Sequence, residues 1–185
     1  MSASKDLDKK LLFLTQPFSE FVIFSGYLLT MKRELLEYLF KVSTEIKDWL
    51  VRKILHKEPP NFEKDFPVII DIIKKNLLST VFDRVTGLTL NVREYLLDLA
   101  EILDAIPSKY DVLKLASHAI RIVLYYGLEE KSEALLRISY LLLYLITAYS
   151  VLKDLPEKEA EELYEEIILP AYEREIEKIL RMVSS

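Results

Sequence analysis

The sequence contains no cysteine, which excludes disulfides, thiolate metal sites and cysteine nucleophiles together. A chain without cysteine fits the reducing environment of the cytoplasm, where we expect this protein to work. Amides are also scarce, with one Gln and three Asn among 185 residues, whereas Lys, Glu, Ile and Leu are plentiful. Depletion of thermolabile residues with abundant charge is typical of hyperthermophile, archaeal-like proteins, and we predict such an origin.

Glycine is rare as well: three Gly interrupt 185 residues, and the seven Pro fall mostly at plausible element boundaries. Sheets need frequent turns, so this scarcity favours long helices. The chain is 51% hydrophobic and 30% charged, enough for a large core with a well solvated outside. We predict an all-α fold, a compact bundle of about six to seven mostly antiparallel helices. We expect residues 1–185 to form one domain, in which 1–16 could be a loosely packed N-terminal helix.

Helix boundaries follow from proline, glycine and capping patterns. The predicted helices run from Pro17 to about His56, from 65 or 66 to Arg84 before Gly87, from Asn91 to before Pro107, from Ser108 to Gly127, from Leu128 to Lys153, and from Asp154 to about Met182. Capping boxes are predicted at Asn91-Val-Arg-Glu94, Ser108-Lys-Tyr-Asp111 and Asp154-Leu-Pro-Glu157. Pro170 should kink or divide the last helix.

No hydrophobic run is long enough for a membrane span. Residues 138–152 carry no charge, but 15 residues reach only about 22 Å as a helix, against about 30 Å of hydrocarbon. The apolar region of residues 11–31 is interrupted by Pro17 and Glu20. Because 138–152 is apolar on every side, it indicates a helix surrounded by neighbours.

Two further segments, 21–29 and 119–126, are apolar around most of their circumference. Three such helices exceed what one small bundle can cover, so we expect a homo-oligomer. Tyr140 and Tyr144 share a face of the 138–152 helix, and tyrosine suits interfaces because it combines a large ring with a polar tip. We therefore predict these two as interface residues; ordinary core packing with hydroxyls at the rim is the alternative.

The charge balance favours a protein partner over nucleic acid. The net charge is −5, and residues 121–185 alone carry 8 Lys/Arg against 13 Asp/Glu. Binding to phosphates requires clustered cations. A basic face could still form if Lys and Arg from 41–57 gather with Lys74 and Lys75, which would permit binding of RNA or single-stranded DNA.

Four carboxylates are the best catalytic candidates. Glu94, Asp98, Glu101 and Asp104 are spaced by 4, 3 and 3 residues, which places them on one helix face. Such a face can hold Mg²⁺ or Mn²⁺ when a second helix adds ligands. The segment Glu101-Ile-Leu-Asp104 resembles the ExxD half of the metal site of all-helical nucleotide pyrophosphohydrolases, although EExxE-like segments follow it here rather than precede it. A solvated helix face is the alternative, and we predict no resident metal and no cofactor.

The chain has two histidines, and one of them suggests an anion site. His118 and Arg121 share a helix face, where they could bind an anion or act as acid and electrostatic partner. A satisfied hydrogen bond within or between helices is the alternative. The sequence has no GxGxxG, P-loop, GxSxG or HExxH pattern.

One family resemblance concerns residues 91–182. This part contains REYLL, a helix ending at a Gly, then RISYLLLYLITAYSVL and a long acidic helix. In hydrophobic pattern and hinge placement it resembles the C-terminal half of translin and its partner TRAX, a family of helical bundles that assemble into RNA-binding shells. The resemblance implies RNA binding by an assembly, and it assigns no residue.

The leading interpretation is a non-catalytic helical bundle that acts through protein–protein association, with itself, with another protein or with both. Two alternatives remain open: a metal-dependent hydrolase that uses the four carboxylates, and a translin-like bundle that binds RNA or single-stranded DNA.

Overall fold

The computed structural model describes residues 33–76, 92–107 and 110–184, and no strand occurs in them. The predicted all-α fold is confirmed. The expected helix over 1–16, the helix start at Pro17, the apolar segment 21–29 and the stop at Gly87 lie outside the described residues.

Seven α-helices lie in the described residues. They are α1 (Arg33–Leu55), α2 (Phe62–Asn76), α3 (Val92–Ala105), α4 (Val112–Tyr125), α5 (Ser132–Asp154), α6 (Glu157–Leu163) and α7 (Leu169–Arg181). A 3-10 turn, Leu128–Glu130, precedes α5, and a π-helical turn, Tyr164–Ile168, joins α6 to α7.

Helix α5 is the centre of the molecule, since α1, α2, α4, α6 and α7 all pack against it. Every residue from 137 to 148 is buried. By length and hydropathy α5 is the one described helix that could cross a bilayer, but 83% of its apolar window lies inside the protein, as in a core helix. The prediction that 138–152 is surrounded by neighbours is confirmed, and those neighbours belong to the same chain.

Helix α2 begins earlier than predicted, at Phe62 instead of 65 or 66. The reason is a cap that we did not recognise: Asn61 Oδ1 accepts the Lys64 N–H at 3.1 Å, and Asp65 Oδ2 accepts the Asn61 N–H at 2.9 Å. This reciprocal pair satisfies two amides that the first helical turn leaves without backbone partners. Pro67 consequently lies inside the helix.

Two of the predicted capping boxes are wrong. The residue before α4 is Asp111, which is left-handed with φ 54° and makes no side-chain cap bond. Helix α6 follows Pro156, again without a side-chain cap, and Asp154 is the last residue of α5. Since a proline disfavours helical geometry in the residue before it, Leu155 is extended and separates Asp154 from the next helix.

The predicted helix stop at Gly127 and the predicted division of the last helix near Pro170 are confirmed. Gly127 adopts φ 65° just beyond α4, a conformation that glycine reaches without strain. The last helix is divided by the π-helical turn, in which the Leu169 N–H bonds to the Tyr164 carbonyl five residues back. Pro170 has no N–H and its ring crowds the preceding turn, so a widened turn next to it accommodates the proline.

Candidate functional site

A buried ion pair links α1 and α2 beneath the central helix. Lys53 Nζ of α1 lies 3.0 Å from Asp65 Oδ1 of α2, and the side chains are 7% and 2% exposed. Lys53 also lies 3.6 Å from Glu58 and 5.8 Å from the centre of the Trp49 ring. Burial of a charge is costly unless an opposite charge compensates for the lost hydration, and Lys53 and Asp65 compensate each other in this way.

Asp65 is held by further donors. Its Oδ2 accepts the Asn61 N–H described above and the hydroxyl of Tyr140 from α5. One carboxylate therefore receives an ammonium, a phenol and an amide, which is close to its full hydrogen-bonding capacity. Because Asp65 is buried and three groups of the protein already donate to it, we assign it to the support of the fold.

Arg137 forms a second buried centre on α5. Its guanidinium bonds to Glu175 of α7 at 3.1 Å, to Glu63 of α2, and to Glu133 one turn back at 3.4 Å. Its flat face lies 4.5 Å from the centre of the Phe62 ring. We call Lys53, Asp65, Arg137, Tyr140 and Glu175 the polar core, because together they tie α1, α2 and α7 to α5.

The electrostatics of Arg137 follow from this setting. Burial acts to lower the pKa of the guanidinium, but its hydrogen bonds to Glu63 and Glu175 outweigh burial, and the pKa is raised overall. The same hydrogen bond from Arg137 holds the pKa of Glu63 below its ordinary value. The contact between Arg137 and Glu63 therefore favours the charged form of both side chains.

Tyr140 and Tyr144 require a correction. Both were predicted at an interface, but their side chains are 1% and 0% exposed in the single chain. Burial, followed by the nearby charge of Asp65, raises the pKa of each phenol. The Tyr144 hydroxyl has no hydrogen-bond partner within the described part of the chain. Their rings are core residues because α5 is covered by helices of its own chain.

The four candidate carboxylates lie on α3 as their spacing predicts, and all four residues are exposed. In the described ranges no three His, Asp or Glu side chains come together to hold a metal ion. Asp104 instead bonds to Arg121 of α4 at 2.7 Å. Burial acts to raise the pKa of Asp104, but hydrogen bonds from Ser117 and Arg121 prevail and lower it. The hydrolase hypothesis gains no support from this face.

The cation of the predicted anion site is already paired with a carboxylate of the protein. His118 and Arg121 are both exposed on α4, but the guanidinium of Arg121 bonds to Asp104 and to the Ser117 hydroxyl. An anion would have to displace Asp104. Anion binding at this pair stays a prediction.

The basic face proposed for nucleic acid is reduced by one cation, since Lys53 is buried in its pair with Asp65. The side chains of Lys41, Lys74 and Lys75 lie outside the described residues. Nucleic-acid binding stays a prediction.

Two surface features were not among the predicted site residues. The first is a pair of tyrosines at the end of α4: Tyr125 is 81% exposed, Tyr126 is 45% exposed, and their rings meet edge to face at 4.9 Å. They end segment 119–126, which was predicted to be apolar around most of its circumference and to contribute surplus surface for a partner.

The second feature is a cleft of about 300 Å³ between the start of α4, the end of α5 and the start of α6. It is lined by Pro107, Tyr110, Val112, Tyr149, Leu152, Lys153, Leu155 and Glu157. Lys153 Nζ lies 5.2 Å from the centre of the Tyr149 ring, and the Tyr110 ring lies 5.8 Å from that of Tyr164. No sequence motif marks this cleft, because its residues come from three separate segments.

Comparison with known proteins finds no match to a family model, to a curated protein or to a solved structure. The resemblance to translin therefore stays a hypothesis.

Proposed function

We propose that this protein is a non-catalytic helical bundle that acts by associating with other protein chains, first of all with a second copy of itself. The observation that carries the proposal is the exposed pair Tyr125 and Tyr126. Single apolar side chains on a surface are ordinary, whereas tyrosine is enriched among the residues that dominate binding at interfaces, and here two adjacent tyrosines are exposed.

Arg93 connects α3 to the chain on both sides of the tyrosine pair. Arg93 Nη1 of α3 donates to the Leu124 carbonyl at 3.1 Å and to Glu129 Oε1 at 2.8 Å, on either side of the two tyrosines in the sequence. Leu97, one helical turn after Arg93, is also exposed. A surface held in place before binding loses less conformational entropy when a partner arrives.

The structure supports only part of the sequence argument for association. The apolar surface of α5 needs no partner, because the chain covers it. Segment 119–126, the other described segment in that argument, ends in the exposed pair Tyr125 and Tyr126, and this pair supports the proposal. The buried charges of the polar core are paired with one another, and among the described residues the exposed carboxylates of α3 have no second set of metal ligands.

Size-exclusion chromatography with light scattering tests this proposal. The wild-type chain should show a mass that rises with concentration from 21.7 kDa toward twice that value. The double substitution Tyr125→Ser with Tyr126→Ser should weaken association at least tenfold, which corresponds to about 1.4 kcal/mol.

The matched control is Leu55→Ser, which removes another exposed apolar side chain from the end of α1. This control should associate like the wild type. A wild-type chain that stays monomeric at every concentration contradicts self-association, and an equal loss in the control contradicts the role of the tyrosine pair.

A further inference from the structure

Helices α3 and α4 lie side by side and run in opposite directions. The start of α3 is beside the end of α4, since Arg93 donates to the Leu124 carbonyl at 3.1 Å. Near the other end of α3, Asp104 accepts hydrogen bonds from Arg121 and Ser117, which come earlier in α4. Because Arg93, Asp104 and Arg121 are all exposed, the outer sides of both helices form one surface. We call the exposed side chains of residues 93–104 and 114–126 the α3–α4 face.

The apolar part of the α3–α4 face lies where α3 begins and α4 ends. Tyr125 and Tyr126 expose their rings there, and Leu97 of α3 is 42% exposed. Leu97 comes one helical turn after Arg93, whose contact with α4 places Leu97 at the level of the last turns of that helix. Exposed apolar side chains gathered from two neighbouring helices are a surface that a partner can cover.

The outer side of α3 contributes an acidic row. Glu94, Asp98, Glu101 and Asp104 share this side of the helix, and all four are exposed. Asp104 is paired with Arg121, but neither Asp98 nor Glu101 forms an ion pair with another residue in the described ranges. Like charges along one helix face repel one another, so a partner that brings positive charge to this row is favoured.

The outer side of α4 contributes a basic row. Lys114, His118 and Arg121 are spaced by four and three residues, which places them on one side of the helix, and all three are exposed. Lys114 Nζ lies 3.5 Å from Asp111, and Arg121 lies 2.7 Å from Asp104. Ion pairs that are exposed to water contribute little to stability, so these cations can also contact a partner.

Two copies can place their α3–α4 faces together in two symmetric ways. If the two-fold axis crosses the helices, α3 packs on α3 and α4 on α4, and each row meets its own charge. If the axis runs along the helices, α3 of each copy packs on α4 of the other, and the acidic row meets the basic row. Like charges in contact are costly at an interface and opposite charges fix its register, so the charges favour the second arrangement.

We propose that a second copy of this chain docks on the α3–α4 face, with α3 of each copy against α4 of the other. This proposal rests on the self-association proposed above and adds its surface and its orientation. Rotation about the axis keeps every residue at its own height along the helices. Leu97 then faces Tyr125 of the second copy, and Asp98 and Glu101 face the basic row of the second copy near Arg121 and His118.

Charge reversal tests this pairing. The variant Asp98→Lys with Glu101→Lys makes the acidic row basic, and the variant Lys114→Glu with His118→Glu makes the basic row largely acidic. Either variant alone brings like charges together, and its self-association should be weaker than that of the wild type by about tenfold or more.

A mixture of the two variants in equal amounts is the decisive measurement. Opposite charges meet again in a dimer that contains one copy of each, so its affinity should be within about threefold of the wild-type value. Native mass spectrometry distinguishes this mixed dimer from either homodimer, and light scattering over a range of concentrations measures the affinity.

The matched control is Glu161→Lys with Glu162→Lys on α6. It changes the net charge by the same amount as Asp98→Lys with Glu101→Lys, and both of its residues are exposed. Helix α6 packs against α5 and lies outside the α3–α4 face. This control should self-associate like the wild type, and circular dichroism should show the same helix content in all the variants.

The possible failures are distinguishable. If the wild type associates but the mixture does not, or if either variant alone associates like the wild type, this pairing is overturned and the proposed self-association stands. Equal weakening in the control also overturns the pairing, since net charge alone then explains the loss. A wild type that is monomeric at every concentration overturns both proposals.

Discussion

Two arginines on neighbouring helices show how burial changes the meaning of the same interaction. Arg137 on α5 is 8% exposed and bonds to carboxylates from α2, α5 and α7. Arg121 on α4 is 47% exposed and bonds to Asp104 of α3 and to Ser117. Each joins its helix to another helix through a carboxylate, but only Arg137 is largely removed from water.

The difference lies in what each charge loses on folding. A buried charge gives up several kcal/mol of hydration free energy, and only a complete set of partners compensates for that loss. An exposed ion pair loses little hydration on folding and gains little from its contact. We infer that the polar core specifies how α1, α2 and α7 dock on α5, because a shifted arrangement would leave a buried charge without a partner. The Arg121 pair imposes no such requirement.

The largest expected effect comes from breaking the buried pair. Arg137→Met leaves Glu175 buried without its guanidinium, and should lower the free energy of unfolding by about 3–5 kcal/mol. Urea denaturation followed by circular dichroism measures this change. The double variant Arg137→Met with Glu175→Leu should recover much of the loss, since no unpaired charge remains. A loss below about 1 kcal/mol in the single variant would place Arg137 in the same class as Arg121.

An intermediate effect distinguishes the two buried tyrosines. Tyr140→Phe removes a hydroxyl that donates to the charged Asp65, and should destabilise by about 1.5–3 kcal/mol. Tyr144→Phe removes a buried hydroxyl without a partner among the described residues, and should be neutral or stabilising. The two substitutions delete the same atom one helical turn apart, so each controls for the other in chemical denaturation. Equal losses would contradict the assigned hydrogen bonding.

The smallest effect is expected at the surface pair. Arg121→Met should lower the free energy of unfolding by less than about 1 kcal/mol, and added salt should reduce the difference further. A loss as large as that of Arg137→Met would remove the distinction between the two sites.

The pH dependence of this pair has a definite sign. The pKa of Asp104 is lower in the folded chain than its ordinary value, so the pair stabilises the fold above the ordinary Asp pKa of about 3.9. This contribution is lost as the pH falls through the folded pKa. The stabilities of Arg121→Met and the wild type should therefore converge as the pH falls below the ordinary Asp pKa, while at pH 7 the small difference remains.

Local features of the fold could be predicted from the sequence. The all-α class, the core position of 138–152, the stop at Gly127 and the division near Pro170 each depend on residues within a few positions of one another. Hydrophobic period, a left-handed glycine and a missing N–H act within one or two helical turns. The early start of α2 was missed even though its cap is local, because Asp65 was interpreted as the helix start and not as the partner of Asn61.

The candidate sites could not be predicted in the same way. Lys153 and Glu157 are close in sequence, but Tyr110 joins them in the cleft only through the packing of α4 beside α5. Arg137 directly precedes the uncharged run 138–152, and its partners Glu63 and Glu175 are 74 and 38 positions away, beyond the reach of any local pattern.

The sequence by itself determined that this chain is helical and that 138–152 is the helix with neighbours on every side, since both follow from short-range periodicity. The tertiary structure decided that those neighbours are its own helices and that Tyr140 bonds to Asp65, 75 positions away. It also decided that Arg121 stays at the surface while Arg137 is buried. The physical reason is that backbone geometry is set by adjacent residues, whereas the loss of water around a side chain is set by whichever distant segments pack over it.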